Sequence, residues 1–207
     1  MFISRIELDL GNNDTRQAIA SPHKLHAAVE NCFHEKNRTL WRLDRIRCNL
    51  YMLLVSAHKP CFDGFSEQFC SPGETGETKS YEGFLSSIKN GQKLRFRLCG
   101  NPVHSVGEPG AGRGKVKPHA SVRYKKEWLV KKSGKHGFAL EENQFEIVET
   151  GVRQFGKKGS KSQIRISQSV FEGVLTVTDR ELLALALISG IGRAKAYGCG
   201  LITVMTL

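Results

Sequence analysis

One order of elements (strand, helix, strand, strand, helix, strand) can be read twice along this 207-residue chain, and few folds accept such an order twice. At the start, Ile6, Leu8 and Leu10 alternate with Arg5, Glu7 and Asp9, the period-two pattern of a strand over 2–10. A helix follows at about 22–35, then a strand pair at 40–47 and 50–58. The stretch 60–80 carries no clear period, a helix is expected at about 80–89, and Leu94, Phe96 and Leu98 alternate with Lys93, Arg95 and Arg97 in a strand over 93–101. Glycine and proline then crowd residues 107–114, which read as a linker or flexible loop. Beyond it come a strand at 115–122, a helix at 123–133, two strands at 144–155 and 161–177 joined by a glycine-containing hairpin, a helix at 179–189 and a strand at 200–206. The expected fold is α+β: two tandem ferredoxin-like (RRM-like) βαββαβ domains whose antiparallel sheets carry helices on one face. The expected boundaries are 1–106, a linker at 107–114, and 115–207.

Charge narrows the partners. A formal net charge of +11 and an isoelectric point near 9.5 draw the chain to polyanions, of which nucleic acid is the commonest. A membrane surface fits less well, because no helical stretch pairs a wide apolar face with a lysine face and no apolar run has the length of a span. The alternation of the first ten residues is that of a strand, not a signal peptide. Cysteines 32, 48, 61, 70, 99 and 199 include no Cys-x-x-Cys pair and sit mostly in apolar runs, as expected for reduced thiols of a cytoplasmic protein. His23, His26, Cys32 and His34 lack the second spaced pair that a tetrahedral zinc site needs, so neither metal nor other cofactor is expected.

Three segments carry candidate chemistry. Between 152 and 165, Arg153, Lys157, Lys158, Lys161 and Arg165 meet no acid; an edge hairpin protected by lysines has this composition, but so does a ribbon laid along phosphates. A second basic stretch runs from Arg113 to Lys135 with Glu127 as its one acid, beside the glycine-rich segment, and is a candidate RNA-contacting loop. At the C-terminus, Gly190, Gly192, Gly198 and Gly200 alternate with basic and apolar residues, Lys195 among them, between a helix and a strand. Glycines so placed allow close backbone approach or positive φ, and a tight turn needs the same.

The reactive candidate is Ser21-Pro22-His23-Lys24-Leu25-His26. Serine suits an N-cap and proline the first helical position, which sets His23 in the first turn and His26 one turn on along the same face. RNA brings its own nucleophile, the 2′-hydroxyl. A base to take its proton, an acid for the leaving 5′-oxygen and cations for the phosphorane charge complete a ribonuclease, and two imidazoles supply the proton transfers near neutral pH without metal.

These residues, together with Leu40-Trp41-Arg42-Leu43, Leu94-Arg95-Phe96-Arg97-Leu98, Asn101-Pro102, Glu127-Trp128-Leu129, Phe171-Glu172-Gly173 and the closing glycine-rich loop, resemble the CasE (Cse-type) family of CRISPR repeat-processing endoribonucleases of type I-E Cascade complexes. The likeness runs nearly end to end. It implies tandem ferredoxin-like domains that bind a CRISPR repeat RNA hairpin, cut at its base without metal to leave a 2′,3′-cyclic phosphate, retain the product and join other Cascade subunits. His26 then matches the family's catalytic histidine. His23 stands where family members carry a tyrosine, either replacing it as base or positioning group or leaving His26 to other partners. The basic hairpin matches the groove-inserting ribbon, with Arg153, Lys157, Lys158, Lys161 and Arg165 on RNA, and Lys195 falls in the matching glycine-rich loop. The alternatives are a non-catalytic RNA-binding subunit and a general DNA- or RNA-binding module.

Overall fold

The computed structural model describes residues 1–35, 38–107, 114–156 and 163–207. The first layer is built from β1 (Phe2–Leu8), α1 (Asn13–Ala20), α2 (Pro22–Asn31), β2 (Leu40–Ile46), β3 (Asn49–Ser56), α3 (Asp63–Phe69) and β4 (Glu77–Ser80). Its sheet is antiparallel in the order β2-β3-β1-β4, with Phe2 opposite both Ser56 and Ser80. The alternation read from the sequence decides the buried face: Ile6 and Leu8 pack with Leu25 and Val29 of α2 and Phe65 and Phe69 of α3 in one core.

After α4 (Glu82–Ser87), the chain enters β5 (Lys93–Gly100), β6 (Val103–Val106), β7 (Lys115–Pro118), α5 (Val122–Ser133), β8 (Phe138–Ala139), β9 (Phe145–Gly156), β10 (Gln163–Val177), α6 (Arg180–Ser189) and β11 (Ile202–Thr206). The second sheet runs β11-β5-β10, with β8 and β9 both pairing β10. A four-stranded and a five-stranded antiparallel sheet result, each built on a ferredoxin-like arrangement, as expected.

Their boundary differs from the expected one. β5 lies between β10 and β11 in the second sheet, so a boundary at 106 would cut that sheet in two. Alternation at Leu94, Phe96 and Leu98 identifies a strand with one buried face and is silent on which sheet completes it. The first sheet closes instead on β4, whose residues are polar and carry no periodic signal, preceded by α3 in the stretch that had none. The glycine- and proline-rich segment does not separate the domains. β6 and β7 on either side of it pair with each other, Val106 opposite Lys115, as a ribbon after β5; residues 108–113 lie outside the described residues. The junction is the stretch from Tyr81 to Gln92, where buried Tyr81 and Ile88 join the second core.

The two sheets are tied by a buried guanidinium. Arg42 on edge strand β2 is 2% exposed. Its Nε and Nη2 donate to the two carboxylate oxygens of Asp44 (2.8 and 2.6 Å), its Nη1 to the carbonyls of Arg97 and Leu201 (2.7 and 3.0 Å), and its Nη2 to Thr203 Oγ1 (2.9 Å). Arg97 Nε also donates to Asp44, at 3.0 Å. A buried cation so fully partnered locks relative orientation, because any shift leaves donors unmet in a medium that cannot solvate them. Leu40 and Val55 of the first sheet extend the contact into the core of the second.

Candidate active site

The site begins at a helix junction. Asn12 caps α1, its Oδ1 accepting from the amides of Asp14 (2.8 Å) and Thr15 (3.4 Å). The helix stops at Ser21, since the residue before a proline is disfavoured in the helical region, and Pro22 opens α2 at its first position. Ser21 occupies the expected cap position, but its hydroxyl is bonded to His23 Nδ1 at 3.0 Å instead of to a helix amide. That bond orients the His23 ring. Buried Leu25 and Val29 anchor the other face of α2, and His26, 33% exposed, has Nε2 3.5 Å from Glu30 Oε1 one turn on.

Both imidazoles meet aromatic rings from the other end of the chain. His23 lies 6.2 Å from Phe155 of β9, His26 meets Tyr197 edge-on at 6.4 Å, and Phe155 and Tyr197 meet edge-on at 5.0 Å. Four rings therefore form one wall, and neither Phe155 nor Tyr197 was singled out from the sequence. Tyr197 stood inside the glycine-rich segment, where the glycines drew the attention; Phe155 sat between cations.

That segment is a folded loop with partners of its own. Gly190, Gly192, Gly198 and Gly200 all have positive φ, between 71° and 92°. At Gly198 a Cβ would stand 2.8 Å from Cζ3 of Trp41, and at Gly190 2.9 Å from Leu40, so β2 is the body that these two glycines admit. The loop is pinned by Ile191 N to Gly200 O (2.8 Å) and Gly200 N to Cys99 O (2.6 Å). Lys195, half-buried, donates from Nζ to Ser189 O at 2.6 Å at the end of α6; burial and then Arg38 lower its pKa.

The ribbon β9–β10 carries the basic residues. A register shift at Val170 and Phe171 bends it, and its outer part packs Phe155, Ile166 and Val170 on Cys99 and Cys199. Arg165 is exposed, opposite Gln154. Arg153 is not a free cation: its Nε donates to Gln168 Oε1 (2.7 Å) and its Nη1 to the carbonyl of Ile19 (2.9 Å), just ahead of the histidine helix. Gln168 in turn donates to Tyr197 O at 3.2 Å. Two side chains, Arg153 and Gln168, thus link ribbon, helix junction and glycine-rich loop, and no local pattern pointed to Gln168. Lys157, Lys158 and Lys161 lie outside the described residues. Among the described residues, no group of three or more His, Cys, Asp or Glu is placed to hold a metal ion, and no helix is long and apolar enough to cross a membrane. All six cysteines are free.

The family described as CRISPR associated protein matches residues 1–205. This chain belongs to that family. The protein named CRISPR-associated endoribonuclease Cse3, from Thermus thermophilus, is 27% identical to it over 220 residues, covering 99% of both chains. The CRISPR system Cascade subunit CasE of Escherichia coli (strain K12) is 27% identical over 194 residues, 90% of this chain and 86% of its own. A solved structure of CRISPR endoribonuclease Cse3 bound to 19 nt RNA superposes with a TM-score of 0.84 at 24% identity, covering 99% of this chain and all of the other. The resemblance to the CasE family is borne out, and so is the tandem ferredoxin-like fold.

Proposed function

We propose that this member of the CRISPR-associated family is a metal-independent endoribonuclease that binds the hairpin of a CRISPR repeat, cuts at its base and keeps the upstream product as part of a Cascade complex. The observation that carries the reading is the meeting of His23 and His26, from the first domain, with Phe155 and Tyr197, from the second, at the root of the basic ribbon. Relatives named as CRISPR endoribonucleases span almost the whole chain and support the reading.

The substrate's 2′-hydroxyl attacks the adjacent phosphorus as its proton leaves, the P–O5′ bond breaks, and the departing oxygen takes up a proton. The products are a 2′,3′-cyclic phosphate and a 5′-hydroxyl. We assign proton transfer to His26, and His23, steadied by Ser21, is the second imidazole at the scissile phosphate. The exposed Arg165 and the lysines at 157, 158 and 161 neutralise phosphates of the stem. Arg153 acts from within, holding the ribbon to the helix junction. Six free thiols suit a reducing cytoplasm.

The test is labelled repeat RNA incubated with the protein in EDTA, beside the same RNA with a 2′-deoxy nucleotide at the cut. Cleavage of the first alone, with a cyclic phosphate on the upstream fragment, is expected. A magnesium requirement or a 3′-hydroxyl product rejects the mechanism in favour of a metal-activated water. RNA bound tightly and left whole makes the chain a binding subunit.

A further inference from the structure

We infer that the cavity between the β6–β7 ribbon and helix α5 is a second RNA site, which takes single-stranded nucleotides by stacking bases on its histidines and pairing phosphates with its lysines. The inference rests on the reading of the chain as an RNA endonuclease and concerns a surface apart from the histidine helix.

Its walls come from two elements. His104 of β6 and His119, the residue after β7, are diagonal neighbours on one face of the ribbon, with Val103 opposite Pro118 and His119 N donating to Pro102 O at 3.0 Å. Their rings are 4.6 Å apart, and Tyr124 extends the row, 6.1 Å from His119. Across the cavity, which encloses about 510 Å³, stand Lys131, Lys132 and Lys135. That volume falls in the range of small-ligand sites, roughly 300–1,000 Å³.

The charge of this cavity is unbalanced. Glu127 is the one acid among its described lining residues, and Arg123 Nε already engages it at 2.9 Å. Burial, then His104 and Lys131, lower the pKa of His119 from the ordinary imidazole value, and Glu127 opposes them. A helix C-terminus favours Lys131 and Lys132 through its dipole, which explains two of the lysines. It does not explain two neighbouring, mutually tilted histidines carried in on a separate ribbon, nor why that ribbon leaves His104 exposed. Aromatic rings in a row beside lysines suit a single strand, whose bases are free to stack, and not a duplex, whose bases are already paired.

The floor of the cavity packs on the loop that carries part of the candidate active site. Trp128 lines it, and a Cβ on Gly192 of the glycine-rich loop would lie 3.0 Å from Trp128 Cζ2. The same loop carries Tyr197, against His26.

Fluorescein-labelled octauridylate is the probe, followed by anisotropy across a salt series. The triple variant K131Q/K132Q/K135Q should bind it at least about ten-fold more weakly, with the slope of log Kd against log salt reduced by about 2, since each single-strand phosphate contact contributes about 0.7. In the unsubstituted protein, the imidazole C2 protons of His104 and His119, assigned through H104N and H119N, should shift on adding octauridylate and stay in place on adding inorganic phosphate. This second measurement does not depend on how the triple variant folds. Unchanged affinity and slope in a folded variant, unmoved histidine resonances at saturating octauridylate, or equal shifts with inorganic phosphate each overturn the site. Cleavage of repeat RNA reports separately: octauridylate bound through the lysines by a protein that cuts nothing supports the cavity and sinks the nuclease, while cleavage with octauridylate binding indifferent to the lysines sinks the cavity alone.

Discussion

Replacing Gly198 by alanine tests whether the glycine-rich loop is shaped by the protein's own packing. Gly198 has φ 79°, where an L-residue costs about 1–2 kcal/mol. Its new Cβ would stand 2.8, 3.1 and 3.3 Å from three carbons of the Trp41 six-membered ring. Trp41 is 2% exposed and has little room to retreat, and overpacking of this kind costs about 1–3 kcal/mol more. The expected loss is therefore about 2–5 kcal/mol, or a fall in Tm of about 4–20 °C for a chain of this size. Urea denaturation measures it, with Gly151→Ala as the control, where a Cβ meets nothing within 4 Å. The two contributions separate in a double-mutant cycle with Trp41→Phe, which removes the ring carbons that the added methyl would strike and keeps the backbone demand. A coupling of about 1–3 kcal/mol is expected, with the φ penalty left behind. Trp41 Nε1 is buried without a hydrogen bond among the described residues, so the phenylalanine also removes an unmet donor. Gly198→Ala melting with the parent, or zero coupling to Trp41→Phe, would refute the claim that β2 dictates the loop.

Replacing His26 by alanine should slow single-turnover cleavage of repeat RNA by about 10²–10⁴ and leave hairpin affinity within a few-fold, as rapid-quench and binding measurements would show; undiminished cleavage removes His26 from the chemistry. Asp44→Ala leaves the Arg42 guanidinium buried without its carboxylate and should cost about 3–5 kcal/mol in urea denaturation, against well under 1 kcal/mol for the exposed pair partner Glu77→Ala. Burial pushes the thiols of Cys32 and Cys70 up from 9.0 to about 12. Between those values the unfolded chain has released protons that the folded one still holds, so stability should fall as pH rises from about 9 towards 12, and Cys32→Ala with Cys70→Ala should flatten that fall in denaturation curves taken across the range. Below pH 9 the native protein should show fast reaction with a thiol reagent at exposed Cys48 and Cys61 alone.

Much of the candidate site was legible because it is written in neighbours. Pro22 after a residue suited to capping starts a helix wherever it occurs, and three positions of helical rise set His26 over His23 whatever the rest of the chain does. The long ribbon and the closing glycine pattern are likewise local, and all four glycines do take positive φ. The polar strand β4 and the short helices α1 and α3 left no such trace, since an edge strand facing solvent has no apolar alternation to show and eight residues hold barely two turns of periodicity. Arg153 reads from sequence as one of five cations on a ribbon. Only its neighbours in space, Gln168 and the carbonyl of Ile19, make it a strut.

Local spacing along the chain sets the longer, strongly patterned helices and strands, the basic character of the surface and the pair of imidazoles on one helix face, because these follow from a few turns or a few residue pairs. The tertiary structure alone decided that β5 belongs to the second sheet, that Trp41 fills the space left by Gly198, and that Tyr197 stands against His26. Each of these is a contact between residues far apart along the chain, settled by which apolar faces and buried charges find partners when the chain closes, and no short-range pattern encodes the winner of that competition.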